Sequence, residues 1–245
     1  MTRLQALPFT NFDTIRTTYD RQTLSENIPP RDAGFFQREG IITHFGKGAI
    51  ILREGAQVRG VHLLVQGKIK VYRDLMPGLR QIFHFHCPGD LLGCQQVLTE
   101  EPYSFQAEAL EDCQTIFIST EAFLKQASQS PSFTQYLLEQ QSREFSAWMK
   151  HLGLTARRSV RVRLAVCLLN LHELSRLPEN PTAVIHLSRT DLADYAATTL
   201  ETTVRVMREM KEAGLIHIRG RRIMLLDLPG LIQVSQEIKL KKPEA

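Results

Sequence analysis

Glu201 and Arg205 stand four residues apart in the run Leu200-Glu201-Thr202-Thr203-Val204-Arg205. On a helix that spacing projects both side chains from one face. An Arg can bond bidentately to guanine O6 and N7, and a Glu can accept from cytosine N4, so the pair has chemistry that could meet base edges. Leu200, just before the Glu, and Val204, just before the Arg, flank the pair in sequence. Arg189 precedes this run, and Arg219, Arg221 and Arg222 follow it. With Thr199, these are expected to grip phosphates, contacts that position a protein on DNA without specifying sequence.

A second group of residues suits metal chemistry. His84 and His86 are two apart in a β-rich run, so both should face one side of a strand, with Cys87 opposite. Together with Gly78 and Asp90 they resemble a degenerate cupin metal motif, which would make the chain a metal-dependent enzyme on a small barrel. The departures are specific. Asp90 replaces the usual Glu, Val97 stands in place of a closing Gly, and the next histidine after His86 is His151. A haem-dependent sensor would draw on the same two histidines. We assign neither a catalytic residue nor a metal ligand on this pattern. Cys87, Cys94, Cys113 and Cys167 form no CxxC pair, so zinc-finger and ferredoxin spacings are absent.

The elements that must position the Glu–Arg pair are legible nearby. Ser188, with Asp191 three residues on, reads as a capping box that starts a short helix with Leu192, Tyr195 and Ala196 on its apolar face. A turn through Ala197 leads to a second helix over 199–213, which Gly214 ends in a left-handed position. Thr198 offers an alternative capping box with Glu201. The sequence then gives a basic hairpin around Arg219-Gly220-Arg221-Arg222. A helix, a turn, a second helix and a wing is the layout of a winged helix-turn-helix, whose second helix meets base edges in the major groove with its first turns.

Farther up the chain, short β-rich runs at 49–52, 61–65, 68–73, 81–86 and 115–118 alternate with glycines. They predict a small antiparallel barrel or jelly roll. Helices follow over 121–126 and 131–152. On the longer one Leu138, Gln141, Phe145, Trp148 and Leu152 recur at spacings of three and four, the pattern of a coiled-coil seam. A hinge is expected over 153–158. An amphipathic helix over 159–174 then turns Val160, Leu164, Cys167, Leu168 and Leu171 inward, a Pro-containing loop covers 175–181, and a short strand covers 183–187. The fold class is α+β, in four parts: an N-terminal extension (1–40), a β-roll or jelly-roll sensor domain (41–128), a dimerisation helix with hinge (129–156) and a winged helix-turn-helix domain (157–245).

Charge divides along the same lines. Residues 155–245 carry 15 Lys and Arg against 10 Asp and Glu, whereas residues 1–154 carry 15 against 16. The basic excess belongs to the half that would face phosphates. No stretch has the apolar length of a membrane span, and the N-terminus lacks the apolar core of a signal peptide. A cytoplasmic protein is expected.

In this order the parts resemble the CRP/FNR family of bacterial transcription regulators, over roughly residues 41–228. Gly67-Lys68-Ile69-Lys70-Val71-Tyr72 resembles the family's barrel strand, and FHCPGDLLG (85–93) the approach to its effector-binding cassette. RLAVCLLNL (163–171) resembles the first helix of its DNA-binding domain, and 187–205 its helix-turn-helix. The resemblance implies a homodimer that binds a palindromic double-stranded operator and contacts RNA polymerase. It also implies that Glu201 and Arg205 read a G·C pair. An apolar residue at the position of Leu200 marks the FNR branch, whereas Val204 differs from the Ser found there, and Ala197 replaces a frequent Gly. The resemblance places an effector pocket at Gly93, Cys94, Ser104, Phe105, Trp148 and Met149. Cyclic-nucleotide-binding members carry a Glu at the position of Cys94 and an Arg-Ser pair at the position of Ser104-Phe105, and no Arg lies between Arg80 and Arg143. A buried cyclic phosphate would lack its guanidinium partner, so cyclic AMP is disfavoured. The N-terminal cysteines of an iron–sulfur sensor are missing too, since the first cysteine is Cys87. The effector therefore stays unassigned.

Overall fold

The computed structural model describes residues 30–156, 158–175 and 183–237. The chain forms two compact units, and the division along it falls between Phe145 and Ser146. The first unit is the expected antiparallel barrel. Its strands are β1 (Ile41–Phe45), β2 (Ile50–Leu52), β3 (Gly60–Gln66), β4 (Ile69–Met76), β5 (Leu79–His86), β6 (Leu91–Leu92), β7 (Gln106–Ala109) and β8 (Cys113–Ser119). They make two four-stranded sheets, ordered β1-β8-β3-β6 and β2-β7-β4-β5. The hairpin of β4 and β5 runs from Ile69 opposite His86 to Met76 opposite Leu79, and turns at Gly78, whose φ of 80° is open to glycine at no steric cost.

Two apolar clusters fill this unit. Leu52, Leu64, Ile69, Val71, Leu92 and Ala107 pack between the sheets. The other cluster joins the barrel to its helices, which are α1 (Pro30–Glu39), α2 (Cys94–Thr99), α3 (Thr120–Gln129) and α4 (Pro131–Thr155). In it Phe35 and Phe36 of α1 meet Phe133 of α4 edge to face, with ring centroids 5.7 and 6.2 Å apart. Phe35 and Phe36 thus carry the segment before β1 into the barrel's core, and this unit runs on to Phe145.

The second unit contains α5 (Val160–Ser175), β9 (Val184–His186), α6 (Arg189–Tyr195), α7 (Leu200–Glu212), β10 (Ile216–Arg219), β11 (Arg222–Leu225) and α8 (Leu228–Gln236). The expectation that α5 is amphipathic is corrected. Val162, Ala165, Val166, Leu169 and Asn170 are buried alongside the predicted inward residues, because α6, α7, α8 and β9 surround the helix. The hinge is also shorter than expected. α4 continues through Gly153 to Thr155, and α5 begins at Val160. A single helical Gly costs only about 1 kcal/mol, which a 25-residue helix tolerates. The loop expected over 175–181 lies outside the described residues beyond Ser175, as does Arg157 of the hinge.

Candidate DNA-recognition surface

The helix-turn-helix is built from two caps and one strained turn. Ser188 caps α6, its Oγ accepting from Asp191 N at 2.9 Å, and its hydroxyl donates to the Asp191 carboxylate. Leu192, Ala193, Tyr195 and Ala196 are buried beneath the helix. The chain reverses at Ala197 with a φ of +52°, where Thr198 N donates to Ala193 O. Thr199 caps α7, its Oγ1 accepting from Thr202 N at 3.2 Å. The alternative capping box of Thr198 with Glu201 does not form, since the N-cap is one residue later and Glu201 keeps its exposed place in the first turn.

The buried side of α7 holds Thr203, Val206, Met207 and Met210, the i, i+3, i+4, i+7 stripe of a packed helix. The opposite side exposes Leu200, Glu201, Val204 and Arg205 together in its first two turns. All four residues expected to read bases thus share one accessible face. The structure adds a partner the sequence reading passed over. Arg205 Nη1 lies 2.7 Å from Glu209 Oε1, an i,i+4 pair with the Arg side chain 65% exposed. The signal for it in the sequence is the i,i+4 spacing of Arg205 and Glu209, the same spacing that relates Arg205 to Glu201.

The wing is the hairpin of β10 and β11, in register from Ile216 opposite Leu225 to Arg219 opposite Arg222, with β9 paired to its far edge. Gly220 and Arg221 form its tip, and Arg219, Arg221 and Arg222 are exposed there. Arg189 differs from them. It is half-buried, its Nη2 donates to Gly220 O at 3.0 Å, and its Nη1 is buried without a hydrogen-bond partner. Its Nη2 bond ties the wing tip to α6.

The residues expected to line an effector pocket fall in both units. Gly93 takes a φ of 84° at the start of α2, with Tyr103 against it, and Cys94 is buried, its thiol pushed up to about 12 by desolvation. Ser104 is exposed, and Phe105 packs against the barrel cluster. Trp148 and Met149 belong to the second unit, where both are exposed. On α4, Leu138, Phe145, Trp148 and Leu152 expose large apolar surface, and Gln141 is half-buried. On β5 the rings of His84 and His86 lie side by side, centroids 4.8 Å apart.

A β-roll of the cyclic-nucleotide-binding type followed by a capped recognition helix and a basic wing defines a DNA-binding transcription regulator. Residues 42–130 match the family model of the cyclic nucleotide-binding domain, and residues 162–234 match that of the Crp-like helix-turn-helix domain. The transcriptional regulatory protein btr of Bordetella pertussis is 33% identical over 174 residues, 70% of this chain and 72% of its own length. The anaerobic regulatory protein of Haemophilus influenzae is 27% identical over 197 residues, 80% of this chain and 76% of its own. The structure of FixK2 from Bradyrhizobium japonicum superposes with a TM-score of 0.71 at 25% identity, covering 80% of this chain and 96% of that one. The chain belongs to the CRP/FNR family of transcription regulators. A fumarate and nitrate reduction regulatory protein, that of Vibrio cholerae, is among the relatives, 27% identical over 198 residues, 79% of this chain and 79% of its own. The family is one of regulators rather than enzymes, and the cupin-like reading is set aside. No helix among the described residues is long and apolar enough to cross a membrane.

Proposed function

We propose that this regulator acts as a cytoplasmic homodimer on a palindromic operator, with Glu201 and Arg205 of each subunit reading one G·C pair. Leu200 and Val204 set the flanking preference through apolar contact with the major-groove floor. Thr199 and the wing residues Arg219, Arg221 and Arg222 hold phosphates, while Arg189 keeps the wing against α6. The observation that carries this reading is the shared exposed face of Leu200, Glu201, Val204 and Arg205 at the N-terminal end of a helix whose other face is buried. Pairing of two subunits through the exposed stripe of α4 would cover Leu138, Phe145, Trp148 and Leu152.

The barrel is the receiver of a small signal, with Gly93, Cys94, Ser104 and Phe105 as its ligand-facing candidates. Cyclic AMP is disfavoured because no Arg between Arg80 and Arg143 is available to a buried phosphate. Contact with RNA polymerase follows from the regulator's class. Fluorescence anisotropy with the DNA upstream of its own gene, and random DNA at equal salt, tests the operator-binding reading. Selective binding supports it, and equal binding to both DNAs with every added small molecule would overturn it.

A further inference from the structure

We propose that His84, His86 and Glu144 form a binding site for a divalent transition metal ion of the zinc class, with Asp90 orienting the His86 ring. The strand β5 puts both histidines on one face, and Phe133, Tyr136 and Leu137 bury the start of α4 in the barrel core. That packing fixes the course of α4 and brings Glu144 to the histidine pair. Each of the three residues offers one ligand atom, and these atoms all lie within 4.8 Å of one another. Around a tetrahedral zinc with bonds of about 2.0–2.2 Å, ligand atoms stand about 3.4 Å apart.

An independent observation points to the same place. His86 is buried, and its Nδ1 has no hydrogen-bond partner. Asp90 Oδ2 stands 3.7 Å from it, too far for a hydrogen bond. Asp90 is held in place, since its Oδ2 accepts from Cys87 N at 2.8 Å and its own N–H donates to Cys87 O. Ligation through Nε2 would turn Nδ1–H toward this fixed carboxylate, the arrangement that metal-bound histidines adopt. Two imidazoles and one carboxylate select zinc, iron, nickel or copper over magnesium and calcium, and leave a fourth position for water. All four residues belong to the first unit, so the site stands or falls separately from the DNA-reading assignment.

Co2+ is the probe. The full chain is stripped with a chelator and titrated with Co2+, then with competing Zn2+, by absorbance and equilibrium dialysis. The expected result is one Co2+ per chain, with ligand-field bands of a four-coordinate ion that Zn2+ removes. Glu144→Gln and His84→Gln should each weaken binding at least tenfold, and Asp90→Asn by about 10–100-fold. Zn2+ should raise the melting temperature of the wild type and not of His84→Gln, whose metal-free melting serves as the folding control. Failure of the wild type to take up stoichiometric Co2+ would overturn the proposal. So would wild-type affinity in both Glu144→Gln and His84→Gln.

Discussion

At the scale of single residues, Arg205 and Ala197 carry the sharpest consequences. Arg205 in the free protein is held by Glu209 at 2.7 Å, an exposed i,i+4 pair of the kind that contributes about 0.3–0.5 kcal/mol. So weak a restraint would let the guanidinium leave for the proposed contact with guanine, where a bidentate pair discriminates by about 1–3 kcal/mol. Arg205→Ala should therefore cost about 1–3 kcal/mol on the specific operator and much less on random DNA. Anisotropy on both DNAs measures the difference, and equal losses would make Arg205 a phosphate contact instead. Ala197 occupies the turn with a φ of +52°, a region that disfavours any residue with a Cβ. Ala197→Gly should stabilise the DNA-binding unit by about 0.5–1 kcal/mol, less than the full steric relief because Gly also loosens the unfolded chain. Urea unfolding checks this, and a destabilised variant would show that the turn carries no strain. The two helix caps and the exposed face of α7 could be read from type and spacing, since both are local. The metal cluster could not, because Glu144 reaches the histidines only through the packing of α4 on the barrel.

At the scale of elements, two predictions concern α4 and the barrel strands. The exposed apolar stripe of α4 is the surface expected to pair subunits, and Trp148 sits in it. Trp148→Glu would place like charges together across a two-fold seam. The variant should sediment as a monomer, and one that stays dimeric would remove Trp148 from the interface. On β3, His62 is buried between Phe45 and Phe117, with its Nδ1 3.0 Å from Thr115 Oγ1. Desolvation lowers its pKa from 6.5 to about 4, so the folded barrel keeps the ring neutral. Between those values the unfolded chain binds the extra proton. Stability is thus full above about pH 6.5 and falls as pH drops toward 4, by roughly 3 kcal/mol in all. His62→Gln should flatten that part of the profile in urea unfolding. Parallel profiles for variant and wild type would mean that His62 does not carry the acid sensitivity. Element identity was legible where apolar periodicity was strong, as in β3, β5 and α7. It was not legible for β1, whose Ile41 and Ile42 are exposed, or for β6, which has two residues. The full burial of α5 was not legible, because a helix covered on all sides has no polar face to set its period.

At the scale of the whole molecule, the order of parts was the strongest signal in the sequence. No single stretch defined the family, but a glycine-punctuated barrel, a long helix, and a basic winged helix in that sequence did. Where a unit of packing ends is set by contacts remote in the chain. Phe35 and Phe36 join the barrel core through Phe133, contacts remote in the chain. A symmetric dimer with two recognition helices should span successive major grooves, so operator half-site centres should lie about 10 bp apart. Affinity should fall steeply with salt, because Arg219, Arg221 and Arg222 would each displace counterions from phosphate. The most direct test of this account is selection of binding sites from a random duplex library, with the wild type and Arg205→Ala in parallel. The account predicts an imperfect palindrome with one G·C pair per half-site, and loss of preference at that pair in the variant. A motif without two-fold symmetry, or one that Arg205→Ala leaves unchanged, would contradict it.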